Sequence, residues 1–119
     1  MTQVGIIGFG SQAKVFAENL RDSNYEIHVL LRNNSESKKL AKEMNYSVLD
    51  YDLAIIPTEI QHLIVLTPDD SHGKILSTIL EVNHDRKFCF IFAHGYSFIK
   101  ENLKELFPGQ RFGLLAPKA

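Results

Sequence analysis

Gly8, Gly10, Ser11 and Gln12 stand at the spacing of a turn that can hold a pyrophosphate. The segment Gly8-Phe9-Gly10-Ser11-Gln12-Ala13 follows the apolar run Val4-Gly5-Ile6-Ile7 and opens a helical pattern. A strand feeding a G-x-G-x-x-A turn brings backbone N–H groups up to a diphosphate. Gly8 would make the tight turn, and Gly10, lacking a Cβ, would let a ligand approach the main chain. Ala13 would let the helix lie close on the strand. The helix start adds free donors and a partial positive charge. Ser11 and Gln12 would touch the pyrophosphate, and Ser11 is also a candidate cap for that helix.

A second chemical group lies at the end of the next strand-like run, in Leu31-Arg32-Asn33-Asn34-Ser35-Glu36-Ser37-Lys38. A carboxylate there would grip the adenosine ribose 2′-OH of NAD. Arg32 would instead pair with a 2′-phosphate, and the hydroxyls of Ser35 and Ser37 would donate to its oxygens. Ser35 is also placed to cap the following helix. The loop therefore points to NADP(H) over NAD(H), with Glu36 as the one charge that would oppose a phosphate. Read without the preceding glycine turn, the same loop would be a solvated turn with an ordinary helix cap.

Composition narrows what such a site belongs to. The 119 residues suffice for one domain, and 45% hydrophobic with 23% charged residues is an ordinary globular balance. A formal charge of −1 argues against nucleic acid or an anionic membrane as an obligatory partner. Apolar runs are strand-length, too short to span a bilayer. Met1-Thr2-Gln3 lacks the basic start of a secretory signal. Cys89 is the only cysteine, which excludes an internal disulfide or a cysteine zinc cluster. The expected compartment is the cytoplasm.

The elements that must position these residues alternate between strand and helix. Strands are expected at Gln3 to Gly8, Glu26 to Leu31, His62 to Thr67, Lys87 to Ala93 and Arg111 to Leu115, with a short one at Tyr46 to Leu49. Helices are expected at Gln12 to Arg21, Ser35 to Met44, after Pro68-Asp69-Asp70, and at Tyr96 to Phe107. Their apolar stripes are Phe16, Ala17 and Leu20; Leu40, Ala41 and Met44; and Ile75, Leu76, Ile79 and Leu80. Asp50 to Ile56 is expected to form one or two helical turns before Pro57. Continuous apolar strands between helices imply an α/β fold: a doubly wound parallel sheet of Rossmann type in a single domain. Right-handed crossovers give the order 3-2-1-4-5, with the last strand extending the 4-5 edge. Ligands of such sheets bind beyond the carboxyl ends of the strands, where the order reverses.

The phosphate turn resembles that of the ketol-acid reductoisomerase family, typically G-[YF]-G-S-Q-G. Further stretches follow in the same order. Leu31 to Ser37 is similar to the family's L-R-x-x-S-x-S, and Thr67-Pro68-Asp69-Asp70 resembles its L-P-D-E. Ala93-His94-Gly95-Tyr96 resembles A-H-G-F, and Ala116-Pro117-Lys118 matches A-P-K. The resemblance runs over essentially the whole chain. It implies a domain that binds NADPH, in a family that reduces ketoacids formed by magnesium-dependent alkyl migration in branched-chain amino acid synthesis. It also implies that His94 lies near nicotinamide and substrate, that Lys118 faces the active site, and that Pro68, Asp69 and Asp70 border the cofactor. The family continues into a helical domain whose carboxylates hold two magnesium ions. Residues 1–119 are accordingly expected to be the NADP-binding part alone, incomplete for catalysis, with magnesium relevant only where that domain is supplied. The alternative is a stand-alone NADPH-binding regulatory module.

The remaining candidates are read as structural. His28 would face outward or pack, and His62, His72 and His84 would sit at the surface at element ends. Cys89, between Phe88 and Phe90, would be a small core residue. Ser97 has no visible base. A homo-oligomer is expected, through apolar surface left near the last strand.

Overall fold

Six short apolar strands build the sheet. β1 is Gln3–Ile7, β2 Glu26–Leu31, β3 Ser47–Asp50, β4 His62–Val65, β5 Cys89–Phe92 and β6 Arg111–Leu114. The computed structural model describes residues 2–67, 72–92 and 103–114. All five strand pairings are parallel, in the order β3-β2-β1-β4-β5-β6. This is the expected doubly wound order. The central register sets Ile6 beside Val29 on one side and Ile64 on the other.

Side-chain alternation divides the core into two layers. On one face Val4, Ile6, Val29, Leu31 and Ile64 pack under α1 (Ser11–Asp22) and α2 (Ser37–Glu43). The helix residues that reach deepest there are alanines, Ala13, Ala17 and Ala41, so both helices lie close on the strands. Phe16, Leu20, Leu40 and Met44 flank them, half-buried. On the other face Ile7, Leu30, Leu63, Val65, Phe88, Phe90 and Phe92 meet Ile75, Leu76 and Ile79 of α3 (His72–Val82) and Leu103 of α4 (Leu103–Leu106). Of the helix expected over Tyr96 to Phe107, only this last turn falls within the described residues.

The connection from β3 to β4 keeps one turn of the one or two expected. Asp50 to Ile56 makes a single turn, closed by Ala54 N–H on the Asp50 carbonyl at 2.7 Å. The chain then runs irregularly across the sheet and buries Tyr51, Ile56 and Ile60 where a crossover helix would otherwise lie. Buried irregular backbone needs partners from elsewhere. Arg86 supplies them, donating to the carbonyls of Ile56, Pro57 and Ile60, the last at 2.9 Å. Asn83 completes the clamp, its Oδ1 accepting from Ile56 N–H at 2.7 Å.

Candidate functional site

At the carboxyl end of β1 the chain turns sharply. Gly8 has φ +99°, a left-handed conformation that disfavours side chains, and a Cβ there would sit 3.0 Å from Cγ2 of Thr67. The Gly8 N–H stays with the sheet, donating to the Leu30 carbonyl at 3.1 Å. Gly10 is the N-cap of α1, in extended backbone, and among the described residues no side chain caps the helix. Ser11 is thus the first helical residue and not the cap. The first helical hydrogen bond runs from Lys14 N–H to the Gly10 carbonyl at 3.0 Å. The N–H groups of Ser11, Gln12 and Ala13 precede it and keep their donor capacity. A Cβ on Gly10 would meet nothing within 4 Å among the described residues. Neither backbone conformation nor packing against the described residues demands glycine there, so among them glycine leaves room for something else. Ser11 and Gln12 are exposed, whereas Ala13 is buried against the sheet.

Across the sheet edge, the loop after β2 presents Arg32. Its guanidinium is exposed, and Nε donates to the Tyr51 hydroxyl at 3.1 Å. That hydrogen bond, with the nearby Asp52 carboxylate adding less, raises the arginine's pKa above its already high ordinary value. The loop is anchored again by Asn33 N–H on Asp52 Oδ1 at 3.2 Å, and by Lys38 on Asp50 at 2.5 Å. Ser35 serves the start of α2, its Oγ accepting from Ser37 N–H at 3.3 Å, although Glu36 occupies the cap position.

These pieces enclose a hollow of about 300 Å³, lined by Gly8, Arg32, Asn34, Ser35, Ser37, Tyr51 and Thr67 among others. The structure therefore brings together Gly8, Arg32, Ser35 and Ser37, which the sequence separates by up to 29 positions. Gly10, Ser11 and Gln12 follow directly from its rim. Thr67 Oγ1 is buried without a hydrogen-bond partner among the described residues. A second hollow of about 260 Å³ lies beyond Arg32, toward Asp52 and toward Lys74 and Thr78 of α3. A dinucleotide fits this donor set: free N–H groups at an uncapped helix, an unobstructed glycine, an unsatisfied hydroxyl and a fixed cation.

Pro68, Asp69, Asp70, His94 and Lys118 lie outside the described residues. His72, expected at the surface, is instead buried at 3% exposure. Its Nε2 donates to the Thr67 carbonyl at 2.9 Å, and its ring packs on Phe92. His28 packs, with Nε2 at 3.0 Å from Gln3 Oε1. Cys89 is half-buried. Sequence reasoning missed Tyr51, Asp52 and Thr67. Thr67 carried a signal as the last residue of the strand beside the glycine turn. Tyr51 and Asp52 carried none, because their segment read as helical turns. No trio of His, Cys, Asp or Glu among the described residues could hold a metal ion, and no described helix is long and apolar enough to cross a membrane.

Comparison with known proteins places this geometry. Residues 1–119 match the family described as acetohydroxy acid isomeroreductase, NADPH-binding domain. A ketol-acid reductoisomerase (NADP(+)) of Psychrobacter cryohalolentis is 36% identical over 95 residues, covering 80% of this chain and 28% of that protein. One from Corynebacterium aurimucosum is 34% identical over 116 residues, 98% of this chain and 34% of that protein. The chain thus spans about a third of the length of the curated relatives it matches. Among solved structures, a Bacteroides fragilis protein described as an NADP oxidoreductase superposes with a TM-score of 0.69 at 20% identity. That match covers 99% of this chain and 44% of the other, and at such identity it speaks to the fold.

Proposed function

Because the chain belongs to the acetohydroxy acid isomeroreductase family, matched throughout by its NADPH-binding domain, we propose that its carboxyl-edge hollow seats the cofactor of an acetohydroxy acid reductase. One observation carries the reading. The left-handed Gly8 lines the same hollow as Arg32, and directly after that turn α1 begins with no side-chain cap and with open space at Gly10 among the described residues. The N–H groups of Ser11 and Gln12 hold the pyrophosphate, helped by the positive end of α1. Gly8 shapes the turn and Gly10 keeps the main chain accessible. Arg32, Ser35 and Ser37 hold the 2′-phosphate. The cofactor, when bound, supplies the hydride. On the family resemblance alone, Pro68 and Asp69 border the nicotinamide end, and His94 and Lys118 face the substrate.

Turnover belongs, in this reading, to the whole protein, in which further carboxylates hold magnesium. The chain works in the cytoplasm, needs neither nucleic acid nor bilayer, and self-associates through apolar surface beside β6, where Leu114 is 55% exposed. Calorimetric titration of the 119-residue chain with NADPH and NADH tests the site. NADPH is expected to bind more tightly, and Arg32→Ala to weaken it roughly thirtyfold while changing NADH by less than about twofold, as loss of a charged phosphate contact requires. Equal losses for both cofactors would remove the 2′-phosphate assignment.

A further inference from the structure

Arg32 is the recognising cation of the proposed site, yet it is an exposed side chain with many rotamers. A free arginine loses that freedom when it captures a phosphate, which lowers the affinity gained. Here the freedom is already restricted. Nε is committed to the Tyr51 hydroxyl, and the two terminal nitrogens make no hydrogen bond among the described residues. Tyr51 is well placed for this. Its ring belongs to the α3-side core at 6% exposure, and its N–H pairs with the Leu31 carbonyl at 3.0 Å as β3 ends. Its hydroxyl emerges where the two hollows meet, and Arg32 borders both. The flanking residues hold the same loop. Asp50 pairs with Lys38, which also reaches the Asn33 carbonyl at 3.2 Å, and Asp52 accepts from Asn33 N–H. The stretch Asp50-Tyr51-Asp52 thus grips the phosphate loop from below at three points, and only the Tyr51 grip lands on the cation.

We propose that Tyr51 is the positioning residue for cofactor choice: its hydroxyl holds the Arg32 fork ready for a 2′-phosphate and so sets the preference for NADPH over NADH. The inference rests on the reading of the hollow as the adenosine 2′-phosphate site. Core packing alone would be served equally by phenylalanine, so the hydroxyl is the part that reports the role.

Tyr51→Phe removes that oxygen and keeps the ring. Titration is expected to show NADPH weakened about fivefold, the scale of one hydrogen bond to a charged group in a solvated site, with NADH unchanged and the melting temperature within a degree or two. In the Arg32→Ala background the same change is expected to have no effect on either cofactor. If Tyr51→Phe alters both cofactors alike, or neither, while Arg32→Ala still loses NADPH selectively, the Tyr51 role is overturned and the phosphate site stands. If Arg32→Ala itself fails to discriminate, the site reading falls and the inference with it. Arg32→Lys gives an independent readout should Tyr51→Phe not fold. Lysine keeps the charge but has no Nε, so most of the preference for NADPH is expected to disappear. Retention of the full preference by Arg32→Lys would count against a role for the tethered fork.

Discussion

Two arginines at opposite edges of the sheet do different work. Arg86, at the amino edge, is satisfied within the protein: three carbonyls accept from it, and its guanidinium lies 4.5 Å from the Phe88 ring centroid. Arg32, at the carboxyl edge, has one hydrogen-bond partner among the described residues, the Tyr51 hydroxyl. Both are held in place, but of the two only Arg32 has terminal nitrogens that make no hydrogen bond among the described residues. A saturated guanidinium closes a structure, and one held by a single bond is the kind the proposed site requires. The same contrast separates the glycines. Gly8 is required by the protein itself, through its φ and Thr67, whereas nothing among the described residues requires Gly10.

The contrast yields perturbations of graded size. Gly10→Val is expected to abolish measurable binding of both dinucleotides while leaving thermal stability nearly unchanged, since its side chain enters open space on the protein's side. Calorimetry paired with a melting curve checks it, and a large loss of stability would show that Gly10 is structural after all. Arg86→Ala should behave in the opposite way. It strips donors from three carbonyls of a partly buried segment, so chemical denaturation should show a loss of about 2–4 kcal/mol. The ratio of NADPH to NADH affinity in the folded fraction should be unaltered. A changed ratio would mean that the β3–β4 connection acts on the site.

A smaller effect concerns Tyr46, buried between Phe9 and Arg21, whose guanidinium lies 4.4 Å from its ring. Its hydroxyl is buried without a hydrogen-bond partner among the described residues. Burial, more than the nearby carboxylates of Glu18 and Asp22, raises its pKa from the ordinary 10.0 despite Arg21. The unfolded chain therefore releases this proton first. The contribution to stability is whole below pH 10 and declines as pH rises through the folded-state value. Tyr46→Phe keeps the ring contacts and removes the unsatisfied oxygen. It should leave stability at pH 7 within about 1 kcal/mol of the parent and reduce the decline above pH 10. Denaturation curves at neutral and alkaline pH would reveal an unchanged slope if the phenol plays no part.

Local pattern carried much of this molecule. The doubly buried strands gave their own order through alternation and crossover handedness, and Gly8 and Ala13 announced the turn and the close helix. Arg32, Ser35 and Ser37 were legible as candidates because they follow the second strand, where folds of this kind hold the adenosine ribose. Three features were not legible. Tyr51 sits 19 positions from the arginine it holds. Arg86 and Asn83 meet the Ile56 segment from 27 to 30 positions away. His72, polar at a helix start, read as a surface residue until Thr67 and Phe92 enclosed it.

Residue type and spacing alone thus determined that a parallel sheet would form and that a glycine turn opening a helix would stand at its carboxyl edge, because periodicity and glycine conformation act over a few residues. Which side chains are spent inside the protein and which stay available to a ligand was decided by the tertiary structure. A donor's partners are set by distance in space, and the chain brings Tyr51 to Arg32, and Arg86 to three carbonyls, only once the sheet has closed.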